Sequence, residues 1–146
     1  VPDLVDADPA AVVIAYLSSH PAVTEALGGP GRISLKNQPP YPHLGVADTP
    51  GGSDRDLRWL ISPEISLTLW GDLDGSPGKA ALRRALYTVL QALAELPEQA
   101  TGPGQPVVTA VESSGAGGWS PEPTGQPRYL SRVRVYMHPP VEAPTP

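Results

Sequence analysis

The sequence predicts an α+β fold: a single layer of mostly antiparallel sheet, about four or five strands, with a short N-terminal helix and one long helix packed on one face. Three observations carry this. Leu82, Leu86, Val89, Leu93 and Leu96 recur at alternating spacings of 4 and 3, which is one apolar stripe of a helix and needs a sheet or another helix to cover it. Residues 65–70 and 128–138 alternate side-chain character with the period of a half-buried strand. Three strand-like segments precede the long helix and two follow it, each group joined by hairpin-like connections, which places the helices on one side of an antiparallel sheet.

The elements follow in order. Residues 1–7 form a flexible lead. Asp8-Pro9 is a helix start, because Asp8 can accept from free N–H groups and Pro9 loses nothing at the first helical position. Ala10, Val13, Ile14 and Leu17 then recur at helical spacing. His20-Pro21 interrupts, since proline disfavours helical geometry in the residue before it. A second helical turn over 22–27 stops at Gly28-Gly29. Ile33 and Leu35 suggest a short strand, and Pro39-Pro40-Tyr41-Pro42 an extended, stiff lead into a second strand over 43–47. Residues 48–62 are turn-rich and charged, too long for an ordinary hairpin loop, and read as a long hairpin or a protruding loop. In the strand 65–70, Ile65, Leu67 and Leu69 face one way. Gly71-Asp72 closes it, Ser76-Pro77 opens the long helix and Pro97 ends it. A strand over 107–112, a flexible turn over 113–118 and a Pro-rich connection lead to the last strand. There Tyr129, Ser131, Val133, Val135 and Met137 share one face, and Arg128, Leu130, Arg132, Arg134, Tyr136 and His138 the other. Residues 139–146 should fray. The whole, 1–146, reads as one domain with its core over about 8–138.

Composition narrows the function. The chain has 146 residues and no Cys, which excludes a disulfide scaffold, a thiolate zinc site and a thiol nucleophile. With 15 Gly and 20 Pro, many turns and long connections are expected. Phe is absent, so the core must be mostly aliphatic. A net charge of −5 is a poor basis for tight nucleic-acid binding, which needs a Lys/Arg footprint. No apolar run approaches a membrane helix. The acidic N-terminus has no signal-peptide pattern, so the cytoplasm of the producing cell is the expected site of synthesis and assembly.

No catalytic motif is present. Gly115-Ala116-Gly117-Gly118 leads into Trp-Ser-Pro and not into the helix that a phosphate cradle requires. There is no Gly-x-Ser-x-Gly elbow, and Ser113 and Ser114 read as turn serines. His20 reads as a surface or capping residue. His43 and His138 could be sheet neighbours, but two histidines without a third ligand make a poor metal site. Asp54, Asp56, Asp72 and Asp74 lack the further oxygen ligands of a calcium loop and read as turn residues. Neither a metal nor a cofactor is expected. What remains are surfaces. Arg128, Arg132 and Arg134 cluster on the last strand, either as a solvated or ion-paired face or as a contact with acidic residues of another subunit, such as Asp54, Asp56 or Glu64. The segment Asp54-Arg55-Asp56-Leu57-Arg58-Trp59 mixes both charges with an aromatic ring, as interfaces do.

Several stretches together resemble the tail terminator, or tail-completion, proteins of long-tailed bacteriophages. Residues 8–23 (DPAAVVIAYLSSHPAV) are similar to the family's N-terminal helix and His-Pro break, and 40–46 (PYPHLGV) to its proline-led strand. Residues 65–72 (ISLTLWGD) with the helix over 79–96 resemble its central strand and major helix, and 118–129 followed by Arg132-Val-Arg-Val-Tyr its closing hairpin. The resemblance spans 8–138. It implies a non-enzymatic protein without cofactor, forming a hexameric ring on the head-proximal end of the tail tube, at the tail–neck junction of the virion. Its partners would be identical copies, the major tail tube protein and the head–tail connector or stopper protein. Genomic DNA would pass through the lumen without sequence-specific binding, and a ring of such acidic chains would let the duplex slide. The segment 48–62 would order against the tube or a neighbour. Alternatives are another neck component, a tail tube protein, or a small ligand-binding or enzymatic α+β domain, the last of which needs convergent titratable groups in a pocket.

Overall fold

The computed structural model describes residues 8–56, 60–99 and 107–138, with the backbone alone at 49–56, 60–61 and 114–117. The expected flexible termini, 1–7 and 139–146, lie outside these residues. Helix α1 (Pro9–Ser19) begins where Asp8 accepts a 3.2 Å hydrogen bond from the Ala11 N–H. After the His20 break, α2 (Pro21–Ala26) follows. It ends as Gly28 and Gly29 take φ of 88° and 143°, and the Gly29 N–H donates back to the Thr24 carbonyl at 2.9 Å. Glycine alone adopts such angles without a Cβ penalty.

Strand β1 (Ile33–Ser34) is followed by a bend through 39–42, so the proline-led lead is not the straight approach expected. The sheet continues with β2 (His43–Asp56), β3 (Leu60–Trp70), β4 (Val107–Trp119) and β5 (Arg128–His138), in the order β1-β2-β3-β5-β4. Every pair is antiparallel except β1 with β2.

Of the two readings of 48–62, the long hairpin holds for its described residues: Asp48 pairs with Ile65, Ser53 with Ser62 and Asp56 with Leu60. Register shifts between Thr49 and Gly52 and between Ser53 and Asp56 absorb the residues that read as turn formers. Bulges tolerate a proline that cannot donate to the ladder. Likewise β4 runs through the supposed turn 113–118, with shifts between Ser113 and Gly115 and between Gly115 and Gly118.

Helix α3 (Lys79–Ala94) starts later than expected. Pro77 lies before it and Gly78 is its N-cap, without a side-chain bond. Its buried residues include the predicted Leu82, Leu86, Val89 and Leu93, flanked by Ala85 and Ala92, and Leu96 continues the stripe in a short 3-10 turn. They pack with Val13 and Leu17 of α1 on Leu44, Val46, Ile65, Leu67, Leu69, Val133, Val135 and Met137 of the sheet. The Tyr16 hydroxyl ties α1 to α3 by donating to the Ala92 carbonyl at 2.7 Å. The result is two layers, with helices on one face of a twisted sheet.

Candidate functional site: the uncovered sheet face

Strand parity decides what the second face carries, since neighbours across a ladder point the same way. Opposite the core residues Ile65, Leu67 and Leu69 stand Glu64, Ser66, Thr68 and Trp70. Their partners on β5 are Arg134, Arg132, Leu130 and Arg128. The last strand alternates as expected, with buried residues at every second position from Tyr129 to Met137.

The arginines differ in their surroundings. Arg128 is held on two sides: its Nε donates to the Ser120 carbonyl at 2.7 Å and its Nη1 meets Glu122 Oε1 at 2.8 Å. The same Glu122 oxygen accepts from the Trp70 indole at 3.1 Å. The Trp70 ring crowds Gly45, so close that a Cβ there would fall 2.4 Å from it. Arg134 stands between Glu64 on β3 and Glu112 on β4, its Nε buried without a hydrogen-bond partner. Glu112 in turn accepts from the Tyr136 hydroxyl at 2.5 Å. Arg132, opposite Ser66 and Gly115, is exposed.

Glu64 was expected as a partner for arginines of a neighbouring subunit. The structure sets it opposite Arg134 of the same chain, so no second copy is needed to bring those charges together. Asp54, Arg55 and Asp56 lie at the far end of β2, where only the backbone is described, and Arg58 and Trp59 lie outside the described residues. Glu112 and Glu122 went unnoticed in the sequence. Glu112 sits where register alone puts it beside Arg134, and Glu122 lies in an irregular connection with no periodic signal.

At the Trp70 end the connections brace the sheet. Gln126 is buried; its amide donates to the Gly71 carbonyl at 2.9 Å and it accepts from Asn37 at 2.8 Å. His43 is buried and shares a 2.7 Å hydrogen bond with Ser34. Burial, with the Arg32 guanidinium adding, pushes its pKa below the ordinary 6.5 and keeps it neutral. His138 pairs with Val107 at the other end of β5, about 33 Å away along the strands, so the two histidines are not neighbours. His20 occupies the N-cap position of α2 without a side-chain capping bond, and its ring lies 3.6 Å from Glu95.

Asp72 and Asp74 are turn residues as read. Asp72 accepts from the Leu73 N–H at 2.6 Å, and Asp74 from both the N–H and hydroxyl of Ser76 at 2.8 Å. Those two bonds hold the exposed Asp74 carboxyl below its usual pKa. Among the described residues, no group of three or more His, Cys, Asp or Glu is placed to hold a metal ion, and no helix is long and apolar enough to cross a membrane. Chemically the face can recognise and pair.

No known protein-family model matches the chain, and no curated protein sequence matches it. The fold, in contrast, is shared. A chain in the solved structure of the virion of a native gene transfer agent particle superposes with a TM-score of 0.59 at 14% identity, over 86% of this chain and 91% of that one.

Proposed function

We propose that this chain is a non-catalytic structural protein of a phage-like virion, and that it caps the head-proximal end of the tail tube as a ring. The ring would end tube polymerisation and offer the docking surface for the head–tail connector. The observation that carries the virion role is the fold shared with a gene transfer agent virion chain over nearly the full length of both. The tail-end position is supported by the resemblance of residues 8–138 to tail terminators. A sheet face on which Arg128 pairs with Glu122 and Arg134 stands in register with Glu64 and Glu112 of the same chain, on an acidic polypeptide, suits a surface past which DNA slides.

Negative-stain microscopy of the purified protein, alone and with polymerising tail tube protein, tests the reading. Rings alone, and tubes of defined length with a cap at one end, are expected. A protein that polymerises into tubes by itself is a tube protein, and one that leaves tube length unchanged is another neck component. Removing residues 50–58 should leave the tubes overlong.

A further inference from the structure

The sheet ends on two long edges. In the order β1-β2-β3-β5-β4, β4 is the outermost strand on one side, and among the described residues no strand pairs with its outer edge. On the other side β1 covers β2 only at Leu44 and Gly45, so from Val46 to Asp56 the outer edge of β2 meets no described strand either. Such edges present backbone N–H and C=O groups that template the addition of another strand. The guards usual on an edge are missing from β4: Val107–Trp119 holds no Lys, no Pro and a single charge, Glu112.

The two edges match each other in level, direction and shape. Thr49, Glu64, Arg134 and Glu112 form one rung across β2, β3, β5 and β4, so the open stretch of β2 and the first half of β4 stand at the same height. Each of these four strands is antiparallel to its neighbour, so β2 and β4, at the two ends of the row, run in opposite directions. A second copy set beside the first in the same orientation therefore brings its β2 antiparallel to β4, which is the pairing this sheet already uses. Register shifts occur on the two outer strands, between Thr49 and Gly52 and between Val108 and Ala110, whereas the inner pair β3–β5 keeps one register from Ile61 to Trp70. Bulges of this kind bend and twist a sheet, and a sheet that closes on itself needs that curvature.

We propose that β4 of one copy pairs along the open stretch of β2 in the next, so that adjoining copies share one continuous antiparallel sheet. The two edges are different patches, so the contact is heterologous and repeats head to tail, as a closed ring requires. The helices thicken one side of the sheet, so closure sets them outside and turns the uncovered face toward the lumen. The inference rests on the ring reading for closure, not for the strand contact itself.

The chain's lack of cysteine makes the test direct. Full-length Ala110→Cys, at an exposed position of β4, is mixed under mild oxidation with variants carrying one cysteine at each position from 47 to 53 of β2, on tags of different size. Tyr87→Cys, exposed on α3, replaces Ala110→Cys in the control. Successive side chains of a strand point to opposite faces, so the yield of mixed disulfide should alternate along β2, with its maximum at least fivefold above the control. A profile without that alternation overturns the proposal. Hydrogen exchange of the wild type needs no substitution: on self-association, backbone amides in 109–112 and 46–56 should exchange at least tenfold more slowly. Amides there that exchange as fast as in dilute protein overturn the strand contact. Rings without the alternating crosslinks and the slowed exchange would sink this contact and leave the ring reading standing. Open chains that show both would do the reverse, and a protein that stays monomeric at high concentration would sink both.

Discussion

Replacing Gly45 with alanine should destabilise the protein by about 2 kcal/mol, because overpacking a filled contact costs roughly 1–3 kcal/mol. The added Cβ would lie 2.4 Å from Trp70 Cζ3 and 2.8 Å from Cη2, whereas carbon atoms rest about 3.5–4.0 Å apart. The indole would have to retreat by about 1 Å. It is restrained by its bond to Glu122, which also holds Arg128, so the strain spreads into the braced corner of the uncovered face. At roughly 2–4 °C per kcal/mol for a chain of this size, Tm should fall by about 4–8 °C. Thermal melts of wild type, Gly45→Ala, Trp70→Leu and the double variant form a cycle. The smaller leucine should accept the methyl, giving a coupling of about 1.5 kcal/mol. Two results would refute the steric argument. One is a Gly45→Ala protein melting within about 1 °C of wild type. The other is a Gly45→Ala loss as large in the Trp70→Leu background as in the wild type.

Three further outcomes are expected. Leu86→Ala empties a fully buried position between α3 and the sheet and should cost about 3 kcal/mol in urea unfolding. Asp8→Ala removes the side-chain cap of α1 and should cost about 1 kcal/mol, seen as a Tm lower by about 2–4 °C. His43 has a folded pKa below the ordinary 6.5, so as pH falls through 6.5 the unfolded chain binds a proton that the native site resists. Its stabilising effect is complete above 6.5 and is lost as pH drops toward the folded value. Wild type should therefore lose more Tm between pH 7.5 and 5.0 than His43→Asn does.

What the sequence determined by itself was everything governed by short-range periodicity. The stripe on α3, the two faces of β5 and the Asp8-Pro9 start of α1 are repeats of 3.6 or 2 residues or adjacent capping pairs, and each reads directly into backbone geometry. The same local logic left 48–62 open between a long hairpin and a protruding loop, and misread 113–118 as a turn. Their Gly, Pro, Asp and Ser residues favour turns in isolation, but bulges let the ladders of β3 and β5 carry them as strand. Ser76-Pro77 misled for the opposite reason: the cap signal was present, but the Asp74 turn claimed Ser76 and the helix began after it. The uncovered face shows the division most plainly. Its arginines could be listed from β5 alone, yet their surroundings could not. Glu64 and Glu112 come beside Arg134 through strand register, and Glu122 meets Arg128 and Trp70 through an irregular connection. Only the tertiary structure decided which charges are met within one chain, because cross-strand neighbours lie far apart in the sequence and no local pattern encodes their alignment.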